Sequence, residues 1–194
     1  MPEFFWIGNH PGLDLANTEA VDDEGRPLDL LRQPSDVVAW VEQAGLGPGG
    51  VDATGPAADA LLAWTRALRG AARRLLDPSR PAAGRDAAEL DALVGAVPVR
   101  LAHAPTAADP PLATTGDDLD RLRLPLAWAV LGALALDRAR VRRCAGARCV
   151  LLFHDTSRNG ARRWCDMAAC GNRAKAAAHY RRHRPATVSR PPAH

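Results

Sequence analysis

Lysine is nearly missing from this sequence of 194 residues: Lys175 is the only one among 25 basic residues, and the rest are arginine. With Ala, Pro and Gly also abundant, the bias reads as the mark of a GC-rich genome rather than of a physical demand. No apolar run is long enough to cross a bilayer. The longest, Leu124 to Leu136, is broken by Pro125 and falls short of the ~20 residues that a spanning helix needs, so a soluble protein is expected. The opening Met1-Pro2-Glu3-Phe4-Phe5-Trp6 lacks a positively charged lead, an apolar stretch and a small-residue cleavage site, which leaves a reduced cytoplasm as the expected compartment. No Ser-His-Asp order, phosphate-cradling glycine loop or HExxH motif is visible. A reading as an enzyme therefore has no positive support, and no catalytic residue is assigned. There is no internal repeat, and no cysteine before residue 144.

All four cysteines fall within 27 consecutive residues. Cys144 and Cys149 form one pair, Cys165 and Cys170 the other; each pair encloses four residues, and fifteen separate the pairs. Two matched pairs of soft ligands suit a closed tetrahedral Zn2+ site, whereas disulfides would need an oxidising compartment. Four thiolates leave no open position for water, so one structural zinc is expected. His154, His179 and His183 are alternative ligands that a full set of thiols makes unnecessary.

Charge divides the chain. Residues 1–137 hold 11 arginines against 20 acidic residues, a net of −9; residues 138–194 hold 14 basic against 2 acidic residues, a net of +12. An acidic body fused to a basic module suggests a polyanion-binding end. The domains expected are a body over 1–137, a finger over 138–184 and a flexible tail over 185–194.

The fold class expected is α+β and mostly helical: a helical N-terminal domain with a small sheet, then a treble-clef-like four-cysteine finger. Phe4 to Gly8 reads as a buried strand, and Leu13 to Thr18 as a half-buried strand that pairs with it around Asn9-His10-Pro11-Gly12. Helical periodicity follows over Asp36–Leu46, with Ser35 as N-cap, over Asp59–Leu76, and over about Asp86–Val94. Val97 to His103 reads as an edge strand because of Pro98, and 104–116 as loop with one short edge strand. Pro125 reads as the first residue of a central core helix, apolar nearly all round, running to about Val141. Within the basic module, Val150 to Phe153 is a short strand, Asn159-Gly160 a tight hairpin turn, and the alanine-rich stretch after Cys170 a helix stopped by Pro185.

Cys144 to Lys175, with Asp155-Thr156-Ser157-Arg158-Asn159, Arg163-Trp164-Cys165 and above all Cys170-Gly171-Asn172-Arg173, resembles the CGNR zinc finger. Gly12-Leu13-Asp14-Leu15-Ala16-Asn17-Thr18, and later Asp29-Leu30-Leu31, Val38-Ala39-Trp40-Val41 and Ala44-Gly45-Leu46, are similar to the ABATE domain that precedes this finger. The resemblance spans nearly the whole chain. It implies a bacterial, stress-induced transcription regulator whose finger binds DNA.

The residues give an independent argument for the same partner. Arg173, Lys175, Arg181, Arg182 and Arg184 lie on the final helix, and Arg158, Arg162 and Arg163 flank the turn, so metal would join two cationic elements able to follow phosphates. Asn172 either reads adenine or caps the helix. Trp164 is expected to cover the metal site. Arg138, Arg140, Arg142 and Arg143 are either DNA contacts or a solvated run. His10, Asp14, Asn17 and Thr18 form a candidate pocket for a small-molecule effector, or else satisfy buried backbone. A single finger is a weak binder, so a homodimer built through the first domain is expected. An adaptor binding RNA or protein, and an enzyme with its site near His10, Asp14 and Asn17, are the competing readings. Substitution of Cys165 or Cys170 is expected to unfold the finger alone.

Overall fold

Proline and short polar side chains decide where the first helices begin. Pro11 opens α1 (Pro11–Ala16), and the His10 ring caps it by accepting the Gly12 N–H on Nδ1 at 3.1 Å. Pro34 opens α2 (Pro34–Gln43), where the Asp36 carboxylate accepts the N–H groups of Arg32 and Gln33 at 2.8 and 3.0 Å. The computed structural model describes residues 3–47, 51–101, 112–116 and 119–183. Arg184, the expected tail 185–194 and the loop expected over 104–111 lie outside them.

Six α-helices and three two-stranded antiparallel ribbons make up the described residues. After α1 come β1 (Glu19–Val21) and β2 (Pro27–Asp29), paired with Ala20 opposite Leu28. Then follow α2, α3 (Gly55–Leu76) and α4 (Gly84–Gly95). A second ribbon pairs β3 (Val99–Leu101) with β4 (Leu112–Thr114), ahead of α5 (Asp120–Leu134). The chain closes with β5 (Val141–Arg143), β6 (Leu152–His154), a π-helical turn (Met167–Gly171) and α6 (Asn172–His183); β5 and β6 pair with Arg142 opposite Phe153.

The core gathers one face of each of the first helices: Leu13 and Leu15 from α1, Val37 and Trp40 from α2, Leu61 and Leu68 from α3, Leu122 and Val130 from α5. Val141 and Leu152, on the last ribbon, belong to the same core. The cysteine-bearing ribbon is thus packed on the body rather than tethered to it. Gly12 permits the tightest crossing, since a Cβ there would stand 2.2 Å from the Ala129 carbonyl oxygen of α5.

Four expectations need correction. Phe4 to Gly8 forms no strand, and Leu13 to Thr18 is largely the helix α1; its alternation misleads because both its apolar and its polar residues are buried. Helix α2 starts two residues earlier than a Ser35 cap would put it, with Gln33 at the cap. Helix α5 begins at Asp120, not at Pro125, its first turn supported by an Asp120–Arg123 ion pair at 2.7 Å and by burial of Leu122 and Leu126. It also ends at Leu134, because Asp137 caps a 3-10 turn (Arg138–Arg140) that leads into β5. One side of it is open, with Trp128 55% and Leu131 42% exposed. Finally, the strand after Cys149 pairs with β5 upstream, across the first cysteine pair, and not across Asn159-Gly160. That dipeptide does make a turn, with Gly160 at φ +60°, but no strand follows it.

Asn17 is the seam between body and ribbon. Its fully buried side chain donates to the Leu152 carbonyl and accepts the Leu152 N–H, both at 2.8 Å. Asn17→Ala would leave two buried backbone groups without partners, each worth about 1–3 kcal/mol. Urea unfolding of the variant is expected to show a loss of ~2–4 kcal/mol.

Candidate metal centre and nucleic-acid interface

The four thiols are assembled by two local devices. Cys144 and Cys149 sit at the tip of the β5–β6 ribbon, where the Cys144 N–H bonds the Leu151 carbonyl at 2.9 Å and the Cys149 N–H bonds the Gly146 carbonyl at 3.0 Å. In the second pair Cys170 lies in the π-helical turn, which Asp166 holds: its carboxylate accepts from the Ala169 N–H at 2.6 Å and its carbonyl from the Gly171 N–H at 3.0 Å. All four Sγ atoms lie within 4.8 Å of one another, and the Cys165 sulfur is 3.7 Å from those of Cys149 and Cys170. A tetrahedron with Zn–S bonds of ~2.3 Å has edges of about 3.8 Å, so the spacing fits one zinc.

The surroundings are those of thiolates. Cys144 Sγ accepts the N–H groups of Gly146 and Cys165 at 3.4 and 3.3 Å, and Cys170 Sγ accepts from the Arg173 guanidinium at 3.3 Å. Charge alone cannot collect on four such sulfurs. Hydrogen bonds from Cys149 and Cys165 hold Cys144 far below the usual thiol range, while the bond to Cys144 pushes Cys149 up to about 12 and Cys165 higher still. A divalent cation relieves that conflict by accepting all four thiolates. The cysteines hold a single structural zinc, with no ligand position left for chemistry. Trp164 packs against this cluster, as expected of a cover, together with Phe5 and Ile7, and Ala20 of β1 is buried within it.

Asp155 shapes the connecting loop. Fully buried, it accepts the N–H groups of Ser157 and Arg162 at 2.9 Å each, together with the Ser157 hydroxyl, and these bonds hold its carboxyl below the ordinary range. Arg162 braces the second cysteine pair, donating to the carbonyls of Trp164 and Cys165 while its guanidinium lies 4.6 Å from the Phe153 ring centre. Its donors are directed into the protein. The run before Cys144 is engaged likewise: Arg138 on the Leu75 carbonyl, Arg140 on those of Asp155 and Ser157, Arg142 on that of Gly160, and Arg143 near Asp77.

Other cations face outward. Helix α6 has no buried residue. Lys175, Arg181 and Arg182 on it, and Arg158 in the loop, are exposed and make no side-chain hydrogen bond or ion pair within the described residues. Arg163 is exposed beside the Trp164 ring, at 5.1 Å from its centre. Arg173 is shared between Cys170 and an exposed Asp23 at 3.2 Å. Asn172 is exposed where the π-helical turn passes into α6.

The four residues of the expected effector pocket are turned into protein. Asp14 accepts the N–H groups of Ile7 and Gly8 at 3.0 and 2.7 Å, and the Thr18 hydroxyl donates to the Leu15 carbonyl and accepts from Arg69. His10 caps α1 and lies against Gly132, its pKa lowered by burial and by nearby His154. Asn9, left unassigned by the sequence, adopts φ +58° and donates to the His154 carbonyl at 2.9 Å.

Residues 9–142 match the ABATE family, described as "Putative stress-induced transcription regulator". The chain belongs to the ABATE family. Residues 140–183 match the CGNR zinc finger, and the two matches overlap over residues 140–142, where the chain enters β5, the strand that the ABATE core and the metal site share. No curated protein matches the chain. Among the described residues, no helix is long and apolar enough to cross a membrane. The ABATE segment Gly12 to Thr18 is explained by the geometry: a close crossing at Gly12, two core leucines, and polar side chains that hold the entry loop and the finger's ribbon.

Because the metal cluster packs on Phe5, Ile7 and Ala20, unfolding of the finger alone is no longer the expectation on metal loss. Structural zinc contributes ~10–16 kcal/mol in small fingers. Elemental analysis should give one zinc per chain. Chelation should lower the melting temperature of the body as well and speed amide exchange at Ile7 and Ala20.

Asp14 yields a second test. Burial raises its pKa from 3.8 to about 6, against the pull of the Gly8 and Ile7 N–H groups. The folded protein therefore binds the proton more tightly than the unfolded chain, and stability contributed by the protonated form is lost as pH rises from about 4 through 6, by at most ~3 kcal/mol. Asp14→Asn keeps an acceptor for both N–H groups and should flatten denaturation midpoints across this window.

Proposed function

We propose that this protein is a cytoplasmic DNA-binding transcription regulator in which the zinc-clamped finger presents α6 to the duplex while the ABATE domain senses a ligand or mediates assembly. One observation supports this reading above the rest: α6 has no buried residue, and Lys175, Arg181 and Arg182 on it have no side-chain partner among the described residues, on a base fixed by metal. A twelve-residue helix is ~18 Å long, and its diameter of ~10–12 Å fits the ~12 Å width of a major groove. Arg158 and Arg163 add cations beside the metal site, so about five side chains are available for phosphates. The arginines at 140, 142 and 162 serve the finger's own loop, Arg138 is held by the Leu75 carbonyl of α3, and all four are left out of the interface. Pairing of two copies is supported by Trp128 and Leu131, which leave an apolar stripe open on α5.

Anisotropy with duplex DNA tests the reading. Three to five phosphate contacts give a slope of log K against log salt of about −3 to −4.5, and Arg181→Gln with Arg182→Gln should make it shallower by about 2. Binding of structured RNA or a protein partner with indifference to duplex DNA would replace this reading with that of an adaptor.

A further inference from the structure

A cleft of about 310 Å3 lies where the C-terminal end of α3 meets the β1–β2 ribbon and the base of the finger. Glu19, Arg73, Asp77, Arg80, Arg143 and Val150 line it. Three guanidiniums face two carboxylates there, and the carboxylates already have partners. Asp77 accepts the N–H and hydroxyl of Ser79 and stands 3.4 Å from Arg143; burial opposes its ionisation, but these bonds keep its pKa below the ordinary value. Glu19 lies 4.0 Å from Arg69.

The guanidiniums are less well matched. Arg73, half-buried, makes two hydrogen bonds, to the carbonyls of Ala16 and Val150, and no carboxylate of the described residues comes within ion-pair distance. Burial lowers its pKa, against the opposing pull of the more distant Glu19 and Asp77 carboxylates. Three of its five N–H donors are unused within the described residues. Arg80, exposed at the rim, has no side-chain partner there either. The cleft is at the small end of the ~300–1,000 Å3 typical of ligand pockets.

We infer that this cleft binds a small anion bearing a phosphate or carboxylate group, held by Arg73, Arg80 and Arg143. Two of its walls adjoin metal ligands: Arg143 precedes Cys144, and Val150 follows Cys149. An anion bridging Arg143 and Arg80 competes with the long Asp77 contact and ties the finger's ribbon to α3. Binding stands on the cleft alone; its role as the effector site rests on the functional reading above.

The test uses the zinc-loaded full chain and inorganic phosphate at constant ionic strength, followed by NMR. Saturable shifts are expected at the Nε–H signals of Arg73 and Arg80 and at the amides of Arg143 and Val150. Arg80→Gln, at an exposed position, should weaken this binding about tenfold, as loss of one charge-assisted contact does. Arg181→Gln with Arg182→Gln should leave it unchanged while weakening DNA. Shifts that grow linearly without saturation, unchanged affinity in Arg80→Gln, or loss in the α6 variant would overturn the site. Failure of DNA binding in the anisotropy assay with saturable phosphate binding intact would remove the regulator reading and keep the cleft.

Discussion

The buried amide pair between Asn17 and the Leu152 backbone governs the arrangement of the molecule. Asn17 is fixed at the end of α1, and α1 is fixed by Gly12 against α5, so the pair sets the position of β6 on the body. From β6 the consequences run outward. Strand β5 follows by pairing, the first cysteines by the turn between the strands, the second pair by the metal, and α6 by the Cys170 turn at its base. His154 to Gly8 and Asn9 to His154 extend the same seam by two further bonds, at 2.8 and 2.9 Å. The opposite net charges of the two halves therefore conceal a continuous interior.

Arginine performs two different tasks in this chain, and the partners of its guanidinium separate them. Along α3, Arg66, Arg69 and Arg73 recur at helical spacing on one face and turn inward, toward the Leu31 carbonyl, the Asp29 carboxylate and the Ala16 carbonyl. Arg69 is nearly buried and bidentate on Asp29, at 2.6 and 2.8 Å. Arg140, Arg142 and Arg162 do the same for the finger's loop, while Arg138 and Arg143 reach the end of α3 and the turn after it. What remains outward is a smaller set than the net charge suggests, concentrated on α6 and the Arg158 turn. A guanidinium committed to two carbonyls cannot also clamp a phosphate without breaking them, so the count of free cations, not the net charge, determines polyanion affinity.

The legibility of the sequence follows the range of the forces. Cysteine spacing reports local chemistry, and the four ligands and the covering Trp164 were readable, but not the packing of the site on Phe5, Ile7 and Ala20. Helices α2, α3 and α4 were readable because ten to twenty-two residues give a stripe room to repeat. Six residues do not. In Leu13-Asp14-Leu15-Ala16-Asn17 the alternation points to a strand, but the polar residues are buried to satisfy backbone elsewhere, in one case 135 residues away. Nothing local announces such a partner. The same holds for β6: Asn159-Gly160 marks a genuine turn, yet the strand's partner is set by the cysteine knuckle before it. The cleft at Arg73 was likewise invisible, because it is assembled from α3, β1 and the finger's base, three segments far apart in the chain.

A shared interior also limits how the body can act on the finger. Val141 and Leu152 lie in the main core, and the Arg73 guanidinium joins the Ala16 carbonyl of α1 to the Val150 carbonyl beside Cys149, so a finger swinging on a loose linker is excluded by the packing. Any influence has to pass as a small shift of the β5–β6 ribbon. Such a shift is not lost, because the metal prevents the finger from absorbing it and α6 extends ~18 Å beyond its base. A rotation of a few degrees at the cysteines displaces Arg181 and Arg182 by about an ångström, and hydrogen-bond geometry resolves differences of that size. One long joint in the path is the 3.4 Å contact between Arg143 and Asp77, on strand β5 itself; a second is Arg173, shared between Asp23 of the body and the Cys170 sulfur, and through these two a change in the body's charge reaches the metal site.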